Sequence, residues 1–200
     1  MKHLFRFSAG IGVFVTSMFF ATAGGESAGA ADAVIPVNYT VNASTTLAKL
    51  HQTVTVPPGT FKGSIDLTTA TLTGNLTLPP ASTTVSVAGV GLATATFELS
   101  PVKPVVGKVN FSTLAVTATA EFNVLVTSAE PLFLPVNLVG THCGTSQPVS
   151  VTFSGTFSLT AKSTFSGTYT IPPLSHCGLL TPALNVVIPG PGNAFNASFS

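Results

Sequence analysis

The sequence predicts an all-β protein: a single antiparallel β-sandwich, or a partly open barrel, placed after a cleaved signal peptide. Three observations carry that expectation. Apolar and polar residues alternate with period two over much of the chain beyond residue 60, the pattern of strands with one face in a core. Pro and Gly breakers return at short intervals, as they do between the strands of sandwiches and barrels. No helical periodicity follows the N-terminal apolar run, apart from one or two turns that residues 45–52 could form.

The first element is the N-terminal segment. Lys2, His3 and Arg6 give a positive start, and an apolar run follows over residues 7–23. Small residues then supply cleavage sites at Ala28-Gly29-Ala30 and Ala31-Asp32-Ala33. That succession is the pattern of a secretory signal. The expected organisation is therefore a signal peptide over 1–30 and one extracellular all-β domain over 31–200, beginning at Ala31 or Val34 after cleavage. A retained membrane anchor is the competing interpretation, weakened by Ser8, Gly10, Gly12 and Ser17 inside the apolar run. No second apolar segment approaches the roughly twenty residues of a spanning helix. The first cysteine is Cys143, too late for a lipoprotein anchor.

The strands come next. In Phe61-Lys62-Gly63-Ser64-Ile65-Asp66-Leu67, Phe61, Ile65 and Leu67 share one face, with Lys62, Ser64 and Asp66 on the other. The same alternation predicts strands at 72–78, 85–87, 92–99, 114–126, 149–159 and 165–171, with a closing strand at 195–200. Pro57-Pro58-Gly59, Pro79-Pro80, Pro101, Pro104, Pro131, Pro135, Pro172-Pro173 and Pro189-Gly190-Pro191-Gly192 are the expected breaks. Residues 63–80 also align with 155–173 with one residue inserted, each passing through a Gly (Gly74, Gly167) into a strand that ends at Pro-Pro. Either the domain is pseudo-symmetric or Thr-rich hairpins resemble one another by composition.

Charge excludes one class of function. The chain is 6% charged with a formal net charge of +1, and beyond residue 30 it carries five Lys, no Arg and five acids. Nucleic acid needs a basic patch, which this balance does not provide. Low charge suits an uncharged partner instead. A Phe near the C-terminus resembles the end of an outer-membrane barrel, but such barrels carry Trp and Tyr girdles. This chain has no Trp and two Tyr.

The most specific local signal is Thr141-His142-Cys143-Gly144 matched by Ser175-His176-Cys177-Gly178. Two cysteines in an exported chain read first as a disulfide, Cys143–Cys177. The alternative is a metal site built from two thiolates and two imidazoles. Adjacent His and Cys on a strand point to opposite faces, and oxidation competes for the thiols, so the disulfide is favoured. A serine hydrolase could draw on His51, His142 or His176 with Asp66 or a Glu. The strand-turn-helix Gly-x-Ser-x-Gly elbow is missing, and Ser154 and Ser166 lie within strand patterns. The acids Asp32, Asp66, Glu98, Glu121 and Glu130 are isolated, which argues against the paired carboxylates of a glycosidase. No catalytic residue, cofactor-binding residue or metal ligand is assigned.

The Ala/Gly/Thr/Val-rich signal, the segments Val56-Pro57-Pro58-Gly59-Thr60-Phe61 and Ile171-Pro172-Pro173-Leu174, and the paired His-Cys-Gly loops resemble small secreted all-β proteins of actinomycetes. These are mostly uncharacterised, some of them labelled cholesterol esterase. The resemblance implies a hydrolase among the candidates without naming a nucleophile, and an apolar groove would suit a sterol or acyl chain. The expected function is that of a secreted non-enzymatic domain, binding an uncharged or lipidic partner or coating the cell envelope. A lipid or sterol ester hydrolase and an extracellular metal binder are the alternatives.

Overall fold

Thr, Val and Phe fill alternate positions along this chain, and branched or aromatic side chains pack well on a pleated surface. What they build is one continuous antiparallel sheet. The computed structural model describes residues 33–87, 90–133, 135–158 and 162–200. The segment expected to be a signal peptide lies outside them, as does the predicted strand end at Leu159. The strands are β1 (Val34–Leu47), β2 (Gln52–Asp66), β3 (Thr71–Thr77), β4 (Ala81–Val87), β5 (Val90–Asn110) and β6 (Ala115–Pro131). They continue with β7 (Gly144–Thr145), β8 (Val149–Thr156), β9 (Ser163–Ile171), β10 (Leu174–Ser175) and β11 (Gly190–Phe199), with helix α1 (Thr181–Val187) between the last two.

Strands β1, β2, β3, β5, β6, β8, β9 and β11 pair in that circular order, and β5 with β6 completes the ring. β4 continues the sheet from β5, and β7 and β10 continue it from β6. The all-β expectation holds, but the sheet closes into a barrel instead of forming the two packed layers of a sandwich. Closure comes from the two longest strands. β5 and β6 stay paired from Ala93↔Pro131 to Asn110↔Ala115, and a twisting ladder of that length carries the sheet round on itself.

Three local expectations change. Pro101 and Pro104 lie inside β5, where register shifts between Pro101 and Lys103 and between Lys103 and Val106 accommodate the missing N–H groups. Pro57-Pro58 likewise sits within β2, opposite a register shift between Val41 and Ala43 of β1, a strand absent from the predicted set. Residues 45–52 form no helix; they are the end of β1, a turn with His51 at φ 49°, and the start of β2. The helix is α1, where Pro182 stands in the first turn. There its fixed φ favours the helix and its absent N–H costs nothing.

The two aligned segments fall in separate hairpins with different registers: Gly63 pairs with Gly74 between β2 and β3, whereas Gly155 and Gly167 pair with Phe165 and Phe153 between β8 and β9. The two hairpins face each other across the ring, with two strands between them on either side.

Outward positions such as Thr117, Ser154, Ser166 and Asn196 are exposed and polar, whereas the inward set is apolar. A lipid-facing barrel has the opposite arrangement. Inside, one half of the barrel is filled. Phe61, Phe153, Phe165, Phe199 and Tyr39 pack edge to face, with centroids 5.0–6.2 Å apart, a geometry that aligns ring edges with ring faces. Glycine makes room for them. A methyl group on Gly74 would stand 2.5 Å from Cζ of Phe61, and one on Gly155 2.8 Å from Cδ1 of Phe165. Only about 30 Å³ is left unfilled there.

The β2–β3 turn is set by Asp66, whose Oδ1 accepts from the N–H groups of Thr68 at 2.7 Å and Thr69 at 3.0 Å. Hydrogen bonds from Thr69 foremost, with Thr68 and the charge of Lys108 adding to them, hold its carboxyl below the ordinary carboxylate value. A lowered folded-state value means that the ionised carboxylate favours folding above the ordinary value, and that this contribution disappears as pH falls through the lowered one. Melting temperature followed from neutral to strongly acid pH should therefore lose a step in Asp66→Ala relative to the parent. Superimposable curves would rule out the role given to Asp66.

Candidate functional site

The other half of the barrel is hollow. Inward residues here are mostly Val, Ala and Leu with Phe97, Phe122 and Phe195 among them, and a cavity of about 410 Å³ opens between the strands, within the span usual for ligand sites, roughly 300–1,000 Å³. Val56 of β2, Val85 of β4, Ala95 of β5, Val124 of β6 and Val151 of β8 form its wall. A cap closes it above, made by the segment after β6 and by β10 and α1. Leu180, Leu184 and Ile188 recur every fourth residue, so they share one side of the helix and line the cavity. Phe133 also lines it and yet is 86% exposed, which puts the mouth beside residues 131–138.

The cap is tied down at several points. The Cys143–Cys177 disulfide joins the segment before β7 to the one after β10, and both cysteines are buried in a small cluster with Val126, Val139 and Leu174. Asn185 of α1 accepts from Leu174 N at 2.7 Å and donates to Leu174 O at 2.9 Å. Lys49 donates to the Val186 carbonyl at 3.0 Å. Fully buried Asn193 accepts from Ala48 N and donates to Gly190 O, fixing the approach to β11. Adjacent elements are thus held by paired buried amides, the arrangement that buried polar groups require.

Among the described residues, three that line the cavity are polar and none is charged. Tyr169 Oη bonds to Thr45 Oγ1, which also donates to Ala194 O at 3.0 Å. Burial pushes the Tyr169 phenol above its ordinary value, with the Thr45 bond opposing. It therefore stays protonated at neutral pH. Thr83 accepts from Gln52 Nε2 at 2.8 Å.

The residues weighed for chemistry lie elsewhere. Cys143 and Cys177 are joined as expected, so neither sulfur is a thiolate ligand. Among the described residues, no three His, Cys, Asp or Glu side chains gather where a metal could bind. His142 Nδ1 meets Thr141 Oγ1 at 2.8 Å and His176 Nδ1 meets Ser175 Oγ at 3.0 Å. Each pair consists of sequence neighbours on the exposed surface of the cap. His51 is exposed in the β1–β2 turn. Among the described residues, no hydrogen bond or ion pair joins a histidine to a carboxylate; Asp66 caps its turn and Glu121 pairs with Lys103 at 2.8 Å. Ser154 and Ser166 face each other on the outside of β8 and β9. A nucleophile oriented by a base and a third group is not assembled from these residues.

Sequence reasoning passed over Tyr169, which reads as an ordinary strand position, over Thr45, which it placed in a possible helical turn, and over the helix of the cap. A signal for the helix was available in Pro182 and in the spacing of Leu180, Leu184 and Ile188. Comparison of the chain with protein-family models, with curated proteins and with solved structures finds no match.

Proposed function

We propose that this is a secreted, non-enzymatic carrier that holds one uncharged apolar molecule in the hollow half of its barrel. The observation that carries the reading is the cavity of about 410 Å³, bounded by Val, Leu, Ala and Phe side chains with no charged group among them. Apolar surface leaves water at a gain of roughly 25 cal/mol per Å², so a hydrocarbon ligand is favoured here with few specific contacts. An ionised ligand would shed its hydration without a counter-charge. Residues 1–30 direct export, and the disulfide suits an oxidising compartment.

The test uses protein harvested from culture supernatant. Its intact mass should correspond to a chain beginning at Ala31 or Val34. A neutral solvatochromic dye such as Nile red should bind saturably at one per chain, with blue-shifted emission. Absence of saturable uptake would sink the carrier. Turnover of a nitrophenyl ester above a heat-denatured control, abolished by His51→Ala, His142→Ala or His176→Ala in a folded protein, would replace it with the hydrolase.

A further inference from the structure

Hydrogen-bond bookkeeping inside the cavity specifies the polar end of its occupant. We propose that the ligand is an apolar alcohol, oriented by one hydroxyl that donates a hydrogen bond to the phenol oxygen of Tyr169. The inference rests on the reading of the cavity as the binding site.

Each hydroxyl has one proton to place. A backbone carbonyl only accepts, so in the 3.0 Å contact between Thr45 Oγ1 and Ala194 O the proton belongs to Thr45. A threonine hydroxyl has one proton. The bond between Thr45 Oγ1 and Tyr169 Oη must then be donated by Tyr169, and that uses its own single proton. The chain runs in one direction, from phenol to threonine hydroxyl to carbonyl. Tyr169 Oη is left with acceptor capacity and nothing to donate. Both residues line the cavity, so a ligand that reaches this pair meets an acceptor.

Each ligand class fares differently against a fixed acceptor. An alcohol supplies the missing proton and completes the chain. An ether or ester oxygen brings only lone pairs, and oxygen faces oxygen unpaired. A fatty-acid carboxylate adds a buried charge, and no Lys, Arg or His is among the lining residues to offset it. A primary amine is protonated at neutral pH and meets no carboxylate there. Thr83, the other hydroxyl distinct from this pair, accepts from Gln52 and keeps its proton. It therefore has the opposite role, and a change at Tyr169 separates the two.

The experiment is displacement of bound Nile red from the wild-type protein and from Tyr169→Phe. The competitors are 1-hexadecanol, hexadecyl methyl ether, hexadecanoate, cholesterol and cholesteryl methyl ether. In wild type, each alcohol should displace the dye at a concentration about fivefold below that of its methyl ether, the size of one net hydrogen bond. Hexadecanoate should be the weakest of the three chain-length partners. Whichever alcohol is more potent identifies a flexible chain or a rigid ring system as the source of the hydroxyl. In Tyr169→Phe the alcohol should fall to the level of its ether, with the ether changed less than twofold.

Equal potency of alcohol and ether in wild type would overturn the alcohol assignment and leave the carrier standing. An alcohol preference that survives in folded Tyr169→Phe would overturn it as well. If the variant does not fold, the wild-type comparison decides alone. Dye that is never bound, or bound and displaced by none of the five, removes the carrier and the alcohol together.

Discussion

Phe199→Ala should destabilise the barrel by about 3–5 kcal/mol, the range for deleting a buried aromatic ring from a close-packed core. Phe199 is 8% exposed and lies where three rings converge. Its centroid is 5.0 Å from that of Phe165, 5.9 Å from Phe61 and 6.2 Å from Tyr39, each close to perpendicular. These contacts join β11 to β9, β2 and β1, so one ring ties together strands from half of the circle. Neighbouring backbones are locked by ladder hydrogen bonds and have little freedom to collapse into the void. Since a domain is stable by only about 5–15 kcal/mol, denaturant unfolding should show a large drop in midpoint with an unchanged slope. A loss under about 1 kcal/mol would mean that the filled half is not packed as described.

Replacing both cysteines, Cys143→Ala with Cys177→Ala, should cost about 2–4 kcal/mol, as expected from releasing a medium-length loop in the unfolded chain. The bridge spans 34 residues. Its effect should differ in kind from that of Phe199. The cluster under the cap contains few large side chains besides Leu174 and the three residues Leu180, Leu184 and Ile188 that rest on it, so without the bridge the cap is held mainly by hydrogen bonds such as those of Asn185 and Lys49. Hydrogen exchange should accelerate first in α1 and around β7 and β10, with β8 and β9 still protected. Thiol titration of the unfolded, unreduced parent should find no free thiol. Two free thiols, or exchange that speeds uniformly over the barrel, would contradict this account.

Much of the barrel was legible because side-chain alternation is a local property. Phe61, Ile65 and Leu67 read as inward from the sequence; the structure buries Phe61 and Ile65, while Leu67 lies past the end of β2 and is exposed. Closure was not legible, because it depends on β5 meeting β6 along its whole length and on prolines at register shifts, which look in sequence like strand ends. The disulfide could be expected from two cysteines in a chain whose sequence predicts export. The cavity could not. It exists because inward positions such as Ala95, Val124 and Val151 stand opposite one another near one end, and that opposition is set by register. The roles of Thr45 and Tyr169 have the same origin: 124 residues apart in sequence, they are brought together only by the order β9–β11–β1.

Closure also bears on where copies of so weakly charged a chain could pair edge to edge. With a formal net charge of +1, mutual repulsion does little, and Thr-rich and Val-rich strands are the kind that pair edge to edge between molecules. A ring presents no free edge. Among the described residues, what remains is the outer side of β10, two residues long, and that of β4, seven. β4 carries no charge of its own, the one long stretch where another strand could be added. Gln52 lies across it, its Nε2 donating to the Thr83 hydroxyl and to the Thr84 carbonyl, a backbone acceptor that an incoming strand would need. It does so with its own Oε1 buried and without a partner, a polar cost accepted at one position. Among the described residues, topology thus leaves little room for edge-to-edge pairing, and the Gln52 amide occupies an acceptor on the seam that stays open.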